Sequence, residues 1–152
     1  MKKNRLLFLL LLAAAIWCGS CGAGRQGCPA IDLTKTVKLT ASIDPSRTEV
    51  YDRIPPDLKS LLTTVDEWIA EEGSPADPPA GFSAMKELLS LTLEQEDHSL
   101  ILVTIYLLSE EEGWVRCIGQ SPEDVQTTVA SFSFRDPGFV QEVQAVRSAY
   151  GK

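Results

Sequence analysis

The chain of 152 residues contains one histidine and one asparagine. Because His98 is the only histidine, a zinc site built on two or three imidazoles is excluded. Asn4 is the only asparagine, so no N-glycosylation acceptor occurs after it. Lysine and arginine number 14 against 21 acidic residues, for a net charge of −7, and no basic cluster occurs after the first five residues. This balance argues against a nucleic-acid partner and against binding to an anionic membrane surface.

No grouping of side chains forms a catalytic or metal-binding motif. Asp97, His98 and Ser99 are adjacent, but neighbouring side chains diverge in a strand or a helix, so they cannot align as a catalytic triad. We expect His98 to be an exposed residue where a strand begins. The acidic run Glu110–Glu112 and the segment that starts at Asp44 lack the ligand spacing of a calcium loop and are expected to be solvated turns. We therefore predict no catalytic residue, metal or cofactor.

The longest apolar run lies at the N-terminus. Three basic residues precede it, segment 6–17 is apolar at all twelve positions, and Gly19 and Ser20 follow. A basic start, an apolar core and small residues together define a secretory signal peptide. The core is shorter than the roughly 20 residues of a membrane-spanning helix. We predict that residues 1–20 form a signal peptide that is removed, with an uncleaved anchor as the alternative.

Two cleavage patterns select the bond between Ser20 and Cys21. Cys18 and Ser20 supply the small residues that ordinary leader cleavage requires. The same segment, CGSC, resembles the lipobox of bacterial lipoprotein precursors, although leucine is commoner at the position of Cys18. This resemblance implies that Cys21 becomes the first residue and carries a palmitate-containing lipid. In the enteric sorting pattern, an acidic residue directly after the lipidated cysteine retains a lipoprotein in the inner membrane. Gly22 is not acidic, so this pattern favours the outer membrane. A secreted, unlipidated protein is the alternative.

The cysteine count agrees with lipidation. Cleavage leaves Cys21, Cys28 and Cys117, so a lipid on Cys21 leaves the other two as a pair in an oxidising compartment. We predict a disulfide between Cys28 and Cys117, for which loop entropy sets an upper contribution of about 4.6 kcal/mol. A catalytic or redox thiol is the alternative, but the processed chain has no Cys-x-x-Cys motif.

The processed chain is predicted to be a tether followed by one domain. The glycines of segment 22–27 have the spacing G-x-G-x-x-G of a dinucleotide-binding loop. Such a loop must lie between a strand and a helix, whereas these glycines follow the signal peptide, so we do not predict a nucleotide site. We predict a flexible, lipidated tether over residues 21–33. Removal of residues 1–20 takes away three positive charges and changes the net charge from −7 to −10. Residues 34–152 are enough for a single core.

Two regions have the patterns of β-strands. Segment 35–43 alternates apolar and polar residues, with Val37, Leu39, Ala41 and Ile43 on one side. Segment 100–108 is apolar at nearly every position and rich in β-branched residues, which suits a strand covered on both faces; a buried helix is the alternative. Segment 114–118 follows an acidic turn and is predicted to be the returning strand. A hairpin near 99–119 would place Cys117 on its second strand.

The helical signals are less uniform. Segment 54–73 has prolines at its start, a glycine at its end and a predicted buried stripe of Leu58, Leu61, Leu62, Val65 and Ile69. A second helix is predicted from about Ser83, burying Phe82, Met85, Leu88 and Leu89. Segment 122–134 begins like a helix but continues with strong strand propensity, and we favour the helix. A last helix is predicted from Pro137, capped by Asp136. The predicted fold class is α+β, a short antiparallel sheet (the hairpin near 99–119 plus the strand near 35–43) packed against three or four helices.

These features indicate a membrane-anchored cell-envelope lipoprotein, non-enzymatic, that faces the periplasm and presents a binding or assembly surface to a protein partner. The alternatives are a small envelope hydrolase that uses carboxylates, or a secreted binding protein, including one of the toxin-immunity type. A small-molecule ligand is neither indicated nor excluded. A concave pocket with two carboxyls of perturbed pKa would favour the hydrolase. A flat apolar patch rimmed by acidic residues would favour the binding protein.

Overall fold

The computed structural model describes residues 30–44, 47–72, 78, 80, 86–123 and 127–150. These residues form six strands and two helices. In chain order they are β1 (Thr36–Asp44), β2 (Arg47–Tyr51), α1 (Pro56–Glu72), β3 (Lys86–Gln95), β4 (Leu100–Leu107), β5 (Glu112–Gln120), β6 (Thr127–Arg135) and α2 (Pro137–Tyr150).

The strands form one antiparallel sheet in the order β2-β1-β3-β4-β5-β6. Each strand pairs with the next along the chain except where α1 intervenes between β2 and β3. There the chain crosses back, and β3 pairs with β1. The two edges therefore differ, because β2 has five residues whereas β6 has nine.

Alternation along the strands separates the two faces of the sheet. Side chains at every second position are apolar and buried on one face, which we call the inner face. Its members are Leu39 and Ala41 in β1, Leu89, Leu91 and Leu93 in β3, Ile101, Val103 and Ile105 in β4, Val115 and Cys117 in β5, and Ala130, Phe132 and Phe134 in β6. The core of the protein lies between this face and the helices.

Both helices pack on the inner face and run antiparallel to each other. Trp68, near the end of α1, lies with its ring centroid 5.7 Å from Phe134 in β6 and 4.7 Å from Phe139 at the start of α2. At the opposite edge of the sheet, the ring of Tyr150, the last residue of α2, lies 5.8 Å from that of Tyr51 in β2. The pair of helices therefore spans the sheet from edge to edge.

The predicted features of five elements are confirmed. α1 buries the stripe predicted for segment 54–73, β1 lies where the alternation of segment 35–43 placed it, and β4 and β5 form the hairpin predicted near 99–119. α2 begins at Pro137, and Asp136 caps it by accepting a hydrogen bond of 3.0 Å from the backbone N–H of Phe139. Val37 differs from its predicted orientation: it is exposed, because the β1–β3 register shifts between Thr36 and Lys38.

The prediction of a sheet packed against three or four helices is wrong. The helix predicted from about Ser83 is contradicted by β3, in which Leu89, Leu91 and Leu93 alternate with Ser90 and Thr92. Leu88 and Leu89 are both buried, but as strand residues; Phe82 and Met85 lie outside the described residues. A strand forms here because β3 lies in the sheet between β1 and β4, where its alternation buries one leucine at every second position.

The helix predicted over segment 122–134 is also wrong, because β6 occupies most of it. Ser121 does form the local bond of a helix start, accepting from the backbone N–H of Glu123 at 3.4 Å. The residues of β6 are β-branched, aromatic or small, and their alternation buries Phe132 and Phe134 against the helices. β2 has no counterpart among the predicted elements.

Among the described residues, the first to be buried in the core is Ile31. This side chain is 6% exposed and belongs to the core, and its backbone N–H donates a 2.8 Å hydrogen bond to the carboxylate of Asp66 on α1. Leu33 packs against the same core. Segment 31–33 is thus attached to the domain that follows it.

Candidate functional site

The three cysteines singled out in the sequence are only partly within the described structure. Cys21 and Cys28 lie outside the described residues, as do the glycines of segment 22–27. Cys117 lies in the middle of β5, on the inner face, opposite Val103 and Ala130 of the neighbouring strands. Its side chain is 0% exposed. The lipidation of Cys21 and the disulfide between Cys28 and Cys117 stay predictions.

A cleft of about 450 Å³ lies beside the turn between β3 and β4. Asp32 and Lys35 line it from the N-terminal side, and Asp97 and Ser99 line it from the turn. Each aspartate is engaged locally. Asp32 accepts hydrogen bonds from the hydroxyl and backbone N–H of Thr34 at 2.6 and 3.0 Å, and Asp97 accepts the equivalent pair from Ser99 at 2.6 and 2.9 Å.

These hydrogen bonds decide what the cleft can do chemically. The Thr34 hydroxyl, then its backbone N–H, holds the pKa of Asp32 below its ordinary value, and Ser99 lowers the pKa of Asp97 in the same way. A carboxylate hydrolase needs one acid with a raised pKa and one base, pushed apart by different environments. The pKa values of Asp32 and Asp97 are shifted in the same direction, downward, so these two carboxyls are not pushed apart into an acid and a base.

His98 stands at the tip of the same turn and is exposed, as predicted. Its backbone has a positive φ of 65°, a conformation in which histidine is enriched among residues other than glycine. Its Nδ1 lies 3.7 Å from Glu94, and 81% of its side chain is exposed. Asp97 is hydrogen-bonded to Ser99 directly, so the three adjacent residues form a turn and not a catalytic relay.

A smaller cavity, about 310 Å³, lies where the β4–β5 turn meets the end of β6. Leu108, Ser133 and Phe134 line it, together with Glu112 and Arg135, which form an ion pair at 3.5 Å. The turn is closed by Ser109, whose hydroxyl accepts from the backbone N–H groups of the following glutamates. The acidic run 110–112 is thus a solvated turn, as expected.

Neither a metal site nor a membrane-spanning helix is found in the described part of the chain. No group of three or more histidine, cysteine or acidic residues within these ranges is arranged to hold a metal ion. None of the described helices is long and apolar enough to cross a membrane.

The face of the sheet opposite the helices, which we call the outer face, is the largest regular surface. Neither described helix covers it. Two rows of side chains cross all six strands in register. The hydroxyl row consists of Thr48, Ser42, Ser90, Thr104, Arg116 and Ser131. The apolar row consists of Val50, Thr40, Thr92, Leu102, Ile118 and Val129.

The apolar row exposes hydrophobic surface to solvent. Val50 is 56% exposed, Leu102, Ile118 and Val129 are half-buried, and Leu100 beside them is 39% exposed. On the other side of the hydroxyl row, Tyr106 is half-buried and its ring lies 5.4 Å from that of buried Trp114. Flat apolar surface of this kind is typical of an interaction surface.

Charges on the outer face lie mainly at its two ends. Lys38 lies directly opposite Glu94 at one end, and Arg135 forms its ion pair with Glu112 at the other. Arg116, in the centre of β5, is half-buried, and its side chain has neither an ion pair nor a hydrogen bond among the residues described. Its direct neighbours in the register, Thr104 and Ser131, are uncharged.

Sequence reasoning did not identify the outer face, although part of its signal was present. Ser and Thr alternate with buried apolar residues in β1, β3 and β6, which marks one solvated face. The two rows depend on the register of five strand pairs, three of which involve β3 or β6, the strands predicted as helix. Comparison with protein-family models, curated proteins and solved structures found no match to the chain.

Proposed function

We propose that the chain is a non-enzymatic lipoprotein of the cell envelope whose domain binds a protein partner through the outer face of its sheet. One observation carries the binding role: six paired strands present an apolar row that neither described helix covers. The cleft beside the β3–β4 turn supports the non-enzymatic part, since the pKa values of Asp32 and Asp97 are both lowered rather than pushed apart. A flat surface without an acid–base pair suits binding better than catalysis.

The anchoring part of the proposal is supported by the N-terminal sequence. A basic start, twelve apolar residues and the lipobox-like CGSC segment support cleavage before Cys21 and its lipidation. Gly22 after that cysteine supports the outer membrane, with the domain in the periplasm. Ile31 is held in the core, and only nine residues separate it from Cys21, which limits the reach to about 30 Å even when these residues are fully extended. The partner would then be met close to the membrane.

Metabolic labelling tests the anchor. Labelled palmitate should enter the wild-type protein and not a Cys21→Ala variant, and the wild-type protein should fractionate with the outer membrane. Equal labelling of both proteins, or none, would show that the lipid assignment is wrong. A processed, unlabelled protein in the soluble fraction would instead identify the secreted alternative.

Site-specific photocrosslinking in cells tests the surface. A photoreactive amino acid at Leu102 or Ile118, on the outer face, should give one discrete crosslinked species. The same group at Lys59, exposed on α1, is the matched control and should not give that species. Crosslinks that form equally from both sides of the domain, or only from Lys59, would refute the outer face as the binding surface.

A further inference from the structure

Arg116 occupies an unusual position for a charged residue in this acidic protein. It lies in the centre of β5 on the outer face, directly between Thr104 of β4 and Ser131 of β6. Those two neighbours are buried, at 5% and 1% exposure. Arg116 itself is half-buried, and no residue of opposite charge occupies a direct or diagonal position beside it.

The positions around Arg116 are all uncharged. Trp114 and Ile118 precede and follow it on the same face of β5, and the diagonal neighbours are Leu102 and Tyr106 in β4 with Val129 and Ser133 in β6. At the ends of the face, Lys38 lies opposite Glu94 in the register, and Arg135 forms an ion pair with Glu112. Arg116 is thus a single positive charge within an apolar and hydroxyl-bearing surface.

We infer that the protein partner presents a carboxylate, flanked by apolar side chains, that pairs with Arg116 at the centre of the outer face. This inference rests on the proposed function and specifies the chemistry of the partner. An arginine pairs with a carboxylate through two parallel hydrogen bonds, and such pairs are strongest where water is excluded. The half-buried Leu102, Ile118 and Val129 beside it would exclude water once covered.

The surroundings favour a carboxylate over a phosphate group. A phosphate carries more charge and is usually held by several cations or by backbone N–H groups at a helix N-terminus. None of the direct or diagonal neighbours of Arg116 is a cation, and neither described helix begins on the outer face. One arginine matches one carboxylate in charge and in geometry. Arginine and aromatic residues at the centre of an apolar patch are also the usual hot spots of protein interfaces.

The probe is a phage-displayed library of random twelve-residue peptides, selected on the full chain held in lipid nanodiscs. Selection on the wild-type protein should enrich peptides that contain Asp or Glu beside apolar residues. The same peptides should bind Arg116→Gln roughly 10- to 100-fold more weakly, and Arg116→Lys with an intermediate loss. Arg135→Gln is the matched control: it removes an exposed positive charge of the same face and should leave the preference for acidic peptides unchanged.

An Ile118→Asp variant separates failure of this inference from failure of the proposed function. If the selected peptides lose binding to Ile118→Asp but contain no excess of acidic residues, the outer face binds partners and the role of Arg116 is overturned. If they bind Ile118→Asp as well as wild type, both proposals fail. Thermal unfolding of each variant shows whether the fold is retained, and Leu102→Asp replaces Ile118→Asp if it is not.

Discussion

Tyr150, the last residue of α2, donates a hydrogen bond of 2.8 Å to the carboxylate of Asp57 in the first turn of α1, 93 residues earlier in the chain. Its ring also packs edge-on against Tyr51 of β2, and the hydroxyl of Tyr51 donates to Glu49 on the same strand. Arg47 pairs with Glu49 at 2.9 Å. This cluster joins the end of one helix, the start of the other and the short edge strand.

The cluster predicts a loss of stability at alkaline pH. Burial, followed by the hydrogen bond to Asp57, raises the pKa of Tyr150 to about 12 from 10.0, and burial with the bond to Glu49 also raises the pKa of Tyr51. A folded-state pKa above the unfolded value means that the stabilisation is complete below pH 10 and is lost as the pH rises through about 12. Urea unfolding followed between these pH values should show this decline.

Two substitutions test whether Tyr150 is responsible. Tyr150→Phe should lower the free energy of unfolding at neutral pH by about 1 kcal/mol and flatten the decline above pH 10. Asp57→Asn keeps a hydrogen-bond acceptor but removes the negative charge, so tyrosinate absorbance should appear at lower pH than in the wild type. An unchanged absorbance titration in Asp57→Asn would show that the contact does not control the ionisation of Tyr150.

Gly113 is required by the close approach of β4 and β6 to β5. A Cβ atom at this position would lie 2.3 Å from the carbonyl oxygen of Tyr106 and 2.5 Å from Cζ of Phe134. The backbone contact cannot be relieved by a rotamer change. We expect Gly113→Ala to lower the free energy of unfolding by about 1–3 kcal/mol, the usual cost of overpacking. Urea denaturation measures this difference.

Gly138→Ala is the matched control for Gly113→Ala. Its added Cβ would meet only Oδ1 of Asp136, at 3.2 Å, and alanine is favoured over glycine in the helix α2 by up to about 1 kcal/mol. The net change should stay below about 1 kcal/mol. Equal effects of the two substitutions would contradict the steric explanation.

Elements with their own boundary signals could be predicted from the sequence. α1 and α2 have prolines at their first positions and one apolar stripe each, so local propensity and tertiary packing agree. Segment 100–108 predicts β4 because it is apolar at nearly every position and rich in β-branched residues, with a buried helix of the same length as the alternative. The acidic turn and segment 114–118 after it predict the returning strand β5. In these segments the local preference and the final fold coincide.

β3 and β6 show where local patterns failed. Leucine, lysine and glutamate favour helices by propensity, and the spacing of Phe82, Met85 and Leu89 resembles a helical stripe, but β3 is stabilised by pairing with β1 and β4, which are distant in sequence. The start signal at Ser121 is a real local turn that no described helix follows. The outer face could not be predicted, because it is defined only by the register of these strands.

The hydrogen bond between Ile31 and Asp66 fixes the point at which the chain enters the domain. Asp66→Ala removes the acceptor of the hydrogen bond from the backbone N–H of Ile31, so this amide should exchange with solvent at least tenfold faster. A protease should also cleave the chain before residue 34 more readily. Asp66→Asn retains an acceptor oxygen and should show a smaller effect. Glu67→Ala, at the exposed neighbouring position, should leave the exchange unchanged. Protection that persists in Asp66→Ala would show that Leu33 and Ile31 hold the segment by packing alone.

The predicted disulfide needs a test that accounts for the burial of Cys117. Cys117 is 0% exposed, so in the folded protein a free thiol there would react slowly with an alkylating reagent, and a cysteine in a disulfide would not react. Counting reactive thiols on the folded protein therefore does not distinguish a free Cys117 from a paired one. The chain is therefore unfolded without reductant, alkylated and digested. We expect no alkylation at Cys28 or Cys117 and one peptide that joins them.

Reduction before alkylation should release both thiols, and a Cys28→Ser variant should expose the Cys117 thiol to alkylation in denaturant without reductant. The same variant should be less stable than wild type by about 2–5 kcal/mol, because the bridge closes a ring over most of the domain. Alkylation of both cysteines in the unreduced wild-type protein would disprove the bridge. It would also remove one argument for lipidation of Cys21, because the three cysteines of the processed chain would no longer divide into a lipid site and a pair.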